Sequence, residues 1–513
     1  MRTIGLPMSV YRDKVLACWL GKNIGGTLGA PREGQKHVHD LDFYDPVPRE
    51  PTGNDDLDFQ LVWLKMLEER GVHPRLSDFA DYWVRYLSAY PWNEYGFCRR
   101  NLERGLLPPI SGGFENYFVD EMGSSVRSEI WACIAPGDPQ LAAAMSWKDA
   151  VLDHAGGEGV YGEMFWAAVQ SAAFVVRDTR TLIRIGLRMI PESCGIARIV
   201  REALWCWENG VRWAEARERI ATRFGHYQPC HTAPNTGFIA LGWLYGSDYG
   251  DCLCKAVNCG YDTDSTGATL GALLGIRDGT RGVPAKWRKP VGDSIVLHKF
   301  TGKFDAPETL KELTDRTAAL AEQCLATRSE TASFRRTGKP PEAELSVLFR
   351  NELALAALRQ DIHAGVAADR DLEIAFHYGG EPVLSPGLAR TFSVSFTQPA
   401  ASDVASGFIP DVRSSDAASG FVHDVQSVTV KVPTGWKVSP VKAAAHRWHF
   451  TILASRIPPR NSISVAAKVK GQRYRASFTL LGPEEAIGYP AGANVPTCPR
   501  CGAWERACIC PVR

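Results

Sequence analysis

Two short acidic clusters hold the residues best suited to chemistry. The first is Thr52-Gly53-Asn54-Asp55-Asp56-Leu57-Asp58, and the second is Gly260-Tyr261-Asp262-Thr263-Asp264-Ser265-Thr266. Each offers two or three carboxylates with amide or hydroxyl oxygens, and neither contains His or Cys. Such oxygen donor sets suit hard cations, Mg²⁺, Mn²⁺ or Ca²⁺, rather than zinc. The same residue types also favour helix N-termini, so capping explains one of them. Two adjacent aspartates, followed elsewhere by Asp-x-Asp-Ser, exceed what a cap needs. Like charges this close repel unless a cation or a proton intervenes. Spacing alone leaves cap and metal site both open.

Two further segments carry chemical potential. The run from Gly21 to Gly34, GKNIGGTLGAPREG, is glycine-rich, but no strand precedes it and its spacing fits neither a P-loop nor a dinucleotide fingerprint. At the C-terminus, Cys498, Cys501, Cys508 and Cys510 form CxxC followed by CxC. Four thiolates so spaced can close a structural Zn²⁺ site; the alternative is a disordered tail of redox-labile thiols. The other ten of the fourteen cysteines are scattered, often among apolar residues, and read as buried, reduced thiols.

The elements that must position the acidic clusters are mainly helical. DFQLVWLKMLEERG follows the first cluster with apolar residues at three- and four-residue spacing, and Gly71 is placed to end it. The second cluster opens a segment in which Gly267, Gly271 and Gly275 recur every fourth residue. Each glycine costs a helix about 1 kcal/mol relative to alanine, so close approach of a second helix is expected to offset it. That approach would hold the two clusters rigidly together.

Residues 1–326 are therefore read as one all-α domain. Residues 327–366 are read as a linker followed by a helix, EAELSVLFRNELALAALRQDI. After Ala367 the texture changes: LEIAFHY, TFSVSFT, SVTVKV, WHFTIL, SISVAAKV and YRASFTLL are short β-branched or aromatic runs between turn residues. They predict a small all-β sandwich over 367–485, separable from a helical domain that could end near Thr327. The sequence SDVASGFIPDV at Ser402 recurs as SDAASGFVHDV at Ser415, which fits a duplicated loop or hairpin rather than a solenoid. Residues 486–513 are the cysteine-rich tail.

Composition removes several function classes. Lys plus Arg is 58 against 57 Asp plus Glu, so no broad basic field marks a nucleic-acid or membrane-surface binder. No apolar run reaches the eighteen residues of a membrane span. The N-terminus, broken by Pro7, Arg12, Asp13 and Lys14, lacks the pattern of a secretory signal, which points to the cytoplasm.

The order and spacing of the glycine-rich segment and the two acidic clusters resemble the ADP-ribosylglycohydrolase family. VRSEIWACIAPGDPQLAA, DHAGGEGVYGEMFWAAVQSA and HTAPNTGFIALGWLYG are similar to further family segments, and the likeness covers about the first 325 residues. It implies an all-α domain with a two-magnesium centre that cleaves ADP-ribose from an acceptor. By position, Asn54, Asp55, Asp56, Asp262, Asp264 and Ser265 match the family's metal ligands, with Mn²⁺ an alternative ion. Glu33 matches a glutamate viewed as catalytic or gating, and Asp56 and Asp264 complete the implied catalytic set. Asn54 stands where the family has a hydroxyl ligand, and Gly26 where many members have Asp. His154 and Asn235 sit in family-like phrases that line the cleft, although His154 alone reads equally well as a core or capping histidine. Asp153, Glu158 and Glu163 read as solvated acids. The VKVPTGWKVSP and FTLLGP phrases resemble immunoglobulin-like modules appended to bacterial glycosidases.

The expected reaction is hydrolysis at a ribosyl C1, where oxocarbenium character develops. The implied substrate is a small molecule or an ADP-ribosylated acceptor. The alternatives are a metal-dependent glycosidase of a nucleoside or carbohydrate, motivated by Asn54 and Gly26, and a catalytically silent ADP-ribose-binding protein.

Overall fold

The computed structural model describes residues 4–91, 93–335, 345–398, 422 and 424–483. The C-terminal cysteines and the Ser402 repeat lie outside the described residues. A helical body occupies the first two-thirds of the chain, and antiparallel sheets follow it.

Five helices set the site: α1 (Met8–Gly29), α2 (Asp55–Arg70), α3 (Asn93–Glu103), α4 (Thr232–Tyr245) and α5 (Thr263–Asp278). The glycine period does what its cost required. A Cβ on Gly267 would strike the carbonyl oxygen of Gly25, one on Gly271 that of Gly21, and one on Gly275 that of Ala17. The reciprocal face of α1 is equally tight, because Gly21, Gly25 and Gly29 meet the backbone at Gly271, Gly267 and Thr263. The two helices thus touch backbone to backbone along their length, a distance only glycine allows. Leu270, Leu273, Leu274 and Ile276 fill the buried flanks of α5.

The helical body is not purely helical. Strand β1 (Ile4–Pro7) pairs in parallel with β2 (Ala332–Arg335), burying Ile4 and Leu6. Four residues each are too short for a readable pattern, so β2 falls in the stretch read as linker. The helix expected over 342–362 is interrupted: short helices span Leu345–Leu348 and Glu352–Leu358, with turn bonds at Phe349 and Arg350 between them. Leu348, Ala354 and Ala357 are buried in the helical core, so this segment is packed rather than free.

The sheets contain β3 (Ala364–Asp369), β4 (Leu372–His377), β5 (Arg390–Thr397), β6 (Val425–Lys431), β7 (Lys437–Val438), β8 (Lys442–Ala444), β9 (Arg447–Leu453), β10 (Arg460–Val469) and β11 (Gln472–Leu481). One sheet runs β3-β4-β5-β9, with β7 and β8 both pairing with β9; the other runs β6-β10-β11. All these pairings are antiparallel. β10 alternates buried and less buried residues as a half-buried strand should. Phe376 of one sheet stacks on Phe478 of the other, ring centroids 5.2 Å apart, which closes the sandwich core.

That core is shared with the helical body. Leu106, Ile110 and Phe114 are buried in the sandwich's own cluster, and Val366 N–H donates to the Pro108 carbonyl at 2.9 Å. Arg460 adds a bond to the Glu103 carbonyl at 3.1 Å. A chain ending near Thr327 would lack β2 and expose those three apolar side chains. The two cores are distinct, but the seam between them is apolar.

Replacing Gly271 by Ala tests the helix contact. Alanine should gain about 1 kcal/mol of helix propensity, yet overpacking against the Gly21 carbonyl should cost about 1–3 kcal/mol, giving a net loss of up to about 2 kcal/mol in denaturant unfolding. A stabilised variant would mean that α1 and α5 do not meet this closely.

Candidate active site

Both acidic clusters become helix N-termini that open on one cleft. Asn54 caps α2, its Oδ1 accepting from the Asp56 N–H at 3.0 Å, so Asp55 and Asp56 stand in the first turn. Asp262 is the N-cap residue of α5 and Asp264 lies in its first turn. Thr263 donates its hydroxyl to the Gly29 carbonyl at 2.8 Å, locking the start of α5 to the end of α1. Helix N-termini favour negative charge, which lowers the cost of gathering these carboxylates.

Asp55, Asp56, Asp262, Asp264, Ser265 and Glu33 all line one cleft of ≈ 530 Å³. Burial, then the Asp264 charge, pushes the Asp55 carboxyl up to about 6. Asp56 is also pushed well up, mainly by burial, and Lys22 opposes the shift. Burial, Asp264 and Glu33 together raise Asp262 well above the ordinary carboxylate range. Asp56 Oδ2 and Asp264 Oδ1 are buried without a hydrogen-bond partner. Crowded acids with orphaned acceptor oxygens fit a cation, and the oxygen-rich donor set fits a hard one.

Glu33 follows the last turn of α1 and is held beside Asp262 by paired backbone bonds. Gly34 N–H donates to the Tyr261 carbonyl, and Tyr261 N–H to the Gln35 carbonyl, both at 2.8 Å. Potential ligand atoms of Glu33, Asp262 and Cys230 all lie within 4.8 Å of one another. Cys230 was unforeseen as a site residue, having been read as one of the scattered buried thiols. The other nine described cysteines are buried, while Cys230 is partly exposed. It reaches the cleft because Met122 N–H donates to its carbonyl at 2.8 Å, zipping residues 120–122 against 230–232.

Three expected site residues stand elsewhere. Asn54 lines a separate small hollow, not the cleft. Its amide oxygen serves the helix cap, and its Nδ2 fills the space above Gly26 where a Cβ would otherwise lie. Asn235 is fully buried behind the cleft; its Nδ2 donates to the Pro229 and His231 carbonyls, and its Oδ1 accepts from the Asp262 N–H at 3.1 Å. It therefore joins the Cys230 loop to Asp262. His154 is fully buried, its Nδ1 2.7 Å from Asp153 Oδ1 and its Nε2 3.7 Å from Glu94 Oε1.

The acids read as solvated are structural. Asp153 is held down to about 2 despite burial, by Arg127 first and His154 next. Arg127 Nη1 and Nη2 each donate to it at 2.9 Å, and Nη2 also lies 2.9 Å from Asp149 Oδ1. Glu163 is fully buried in the same group. Glu158 caps a neighbouring helix by accepting from Gly195 and Ile196 N–H groups at 2.6 and 2.9 Å.

Two further buried residues, Lys22 and the cluster's third aspartate, Asp58, brace the acidic face of the cleft. Lys22 Nζ donates to the Val126 carbonyl at 2.7 Å and lies 3.1 Å from Glu129 Oε2 and 3.8 Å from Asp56 Oδ2. Asp58 accepts from His298 N–H at 2.7 Å and from Thr301 Oγ1 at 2.5 Å, anchoring the loop that brings His298 to the cleft. Neither is given a role by the sequence alone, because both roles depend on contacts with distant segments.

A family model described as ADP-ribosylglycohydrolase matches residues 7–329. Among curated protein sequences none matches this chain. A solved structure titled "ADP-ribosylglycohydrolase-related protein complex" is similar at 17% identity and a TM-score of 0.45, covering 61% of this chain and 99% of that one.

The raised carboxyls would make cation binding at this cleft compete with protons. Asp55 near 6 and Asp58 near 7 lie above the 3.8 of an ordinary aspartate, so both hold more protons folded than unfolded between about pH 4 and 7. Their contribution to metal-free stability falls as pH rises through that window; His231, held down to about 4 by burial and His226, works in the opposite sense up to its ordinary 6.5. A Mg²⁺-induced rise in Tm should therefore grow from pH 5 to pH 7. A shift that is flat or shrinks with pH would separate these aspartates from the cation.

Proposed function

Because the chain belongs to the ADP-ribosylglycohydrolase family over residues 7–329, whose members are hydrolases, we propose that it is a Mg²⁺-dependent hydrolase of a glycosidic bond. The observation that carries this reading is the delivery of two aspartate pairs, from two helix N-termini, into one cleft. Asp55, Asp56, Asp262 and Asp264 would hold the ions, with Ser265 and Glu33 beside them; Mn²⁺ is a workable substitute. Bound there, such ions supply Lewis acidity, grip on vicinal hydroxyls and a more acidic water.

The rest of the chemistry belongs to the side chains. Breaking the C1–leaving-group bond adds water oxygen to C1 and a proton to the departing atom. Glu33 sits at the exposed end of the metal face, where it can hold or deliver that proton. Asp56 and Asp264 fix the attacking water and diol relative to it, while Lys22 and Gln60 hold Asp56 from below. Gln60 Nε2 bonds the Asp56 carbonyl at 3.0 Å and Glu129 Oε2 at 2.9 Å. Asn235 and His154 act from behind the wall as positioning residues.

ADP-ribosyl conjugates are the substrates that the family name nominates. The character of the lining favours a second reading, a nucleoside or carbohydrate glycoside, because its described residues include seven carboxylates and no Lys or Arg. Among the described residues, no helix is long and apolar enough to cross a membrane.

Chelation should abolish turnover of a glycoside panel and Mg²⁺ or Mn²⁺ should restore it. Glu33→Gln should lower kcat by about 10²–10⁴-fold, the usual worth of a general acid or base. Asp264→Asn should lose metal-dependent turnover with its helical circular dichroism intact. Undiminished activity in excess chelator would overturn the reading.

A further inference from the structure

Among the described cysteines, Cys230 alone is partly exposed; the rest are buried. It lines the acidic cleft together with Glu33 and Asp262, and one ligand atom of each lies within 4.8 Å of the other two. Ligand atoms around a tetrahedral cation stand about 3–4 Å apart, given metal–sulfur and metal–oxygen bonds of about 2.3 and 2.0 Å. The three side chains are therefore near coordinating distance without a change of fold. Packing accounts for the buried thiols, but not for a thiol beside two carboxylates at a cleft wall.

Backbone bonds fix this arrangement from several sides. Pro229 and His231, the chain neighbours of Cys230, both give their carbonyls to Asn235 Nδ2, at 2.7 and 2.9 Å. Asn235 Oδ1 accepts from the Asp262 N–H at 3.1 Å, so one buried amide sets the spacing of Cys230 and Asp262. From the other side, Met122 N–H donates to the Cys230 carbonyl at 2.8 Å and Thr232 N–H to the Asp120 carbonyl at 2.7 Å. Glu33 is tied to Asp262 by the bonds that Gly34 and Gln35 make to Tyr261. Gly260 permits that approach, because a Cβ there would strike the Gln35 and His37 carbonyl oxygens. Supports of this kind hold ligands in place and raise metal affinity.

The donor set differs in kind from the four aspartates. One thiolate with two carboxylates suits a borderline-soft divalent cation, Zn²⁺ or Cd²⁺, and three protein ligands leave a fourth position for water. Mg²⁺ takes oxygen ligands and gains little from sulfur. Asp262 belongs to both sets, and Glu33 is the residue that would hold or deliver the proton. A cation bound at Cys230 therefore withdraws a hard-metal ligand and the general acid together.

We propose that Cys230, Glu33 and Asp262 form an inhibitory site for a thiophilic divalent cation such as Zn²⁺, through which that cation shuts the hydrolase off. On binding, a sulfur–metal bond forms, the thiol gives its proton to solvent, and no electron is transferred. The inhibition rests on the glycosidic reading of the metal face; the cation site itself does not.

The test titrates full-length, chelator-treated protein with Cd²⁺ and follows the ultraviolet charge-transfer band of the Cd²⁺–thiolate bond. Cys498, Cys501, Cys508 and Cys510 are changed to serine throughout, so that the tail adds no signal. The band should appear in the parent, Cys230→Ser should abolish it, and Glu33→Gln should keep it but weaken Cd²⁺ binding at least tenfold. No band in the parent at saturating Cd²⁺, an equal band in Cys230→Ser, or an affinity that Glu33→Gln leaves unchanged would overturn the inference. In Mg²⁺-supported turnover, the Zn²⁺ concentration that halves each protein's own zinc-free rate should rise at least tenfold in Cys230→Ser. An unchanged value would overturn the inhibitory role. Protein that binds Cd²⁺ through Cys230 yet hydrolyses no glycoside would instead strike the glycosidic reading and leave the cation site standing.

Discussion

The contact between the glycine faces of α1 and α5 is the constraint on which the site depends. Gly21, Gly25 and Gly29 meet Gly271, Gly267 and Thr263 at backbone distance, so the helices have little freedom to slide or separate. Sliding is further prevented by the Thr263 hydroxyl on the Gly29 carbonyl. The end of α1, from which Glu33 projects, and the start of α5, which carries Asp262 and Asp264, are thereby held at one place. Helix α2 reaches the same place through Lys22, a buried residue of α1 whose ammonium lies beneath Asp56.

Gathering so many acids makes the centre electrostatically strained before any cation is bound. Buried cations hold the outer parts of the network: Lys22 between Glu129 and Asp56, and Arg127 among Asp149, Asp153 and Glu163. Neither reaches into the lining, whose inner carboxyls respond by taking raised proton affinities. This division leaves cations outside and acids inside, so the described lining is acidic. It also makes each buried pair hard to edit, since removing one partner strands the other.

Much of this was legible in the residues. The two acidic clusters were expected to be held near each other, and they line one cleft, while the four-residue glycine period implied a close helix pair. Six strand-like runs correspond to β4, β5, β6, β9, β10 and β11 because alternation on a half-buried surface leaves a strong pattern. What stayed hidden depends on contacts between distant segments. Cys230 joins Glu33 and Asp262 through a backbone ladder to residues 120–122, and Glu94 and Glu121 meet across α3 and that same ladder. Asn235 and His154 were recognisable by phrase but not by depth; the fold puts each one layer behind the surface it was expected to form. The seam at Leu106, Ile110 and Phe114 was invisible for the same reason, since three apolar residues near a helix look like core of their own domain.

The most direct test of the metal account is a crystal structure of the Mn²⁺-loaded protein with anomalous diffraction measured at the manganese edge. Anomalous peaks should lie between the N-termini of α2 and α5, with carboxylate oxygens of Asp55, Asp56, Asp262 and Asp264 at coordination distance of about 2.0–2.6 Å, as hard divalent cations require. Peaks confined to Glu33 and Cys230, or no peak at those aspartates at saturating Mn²⁺, would contradict it.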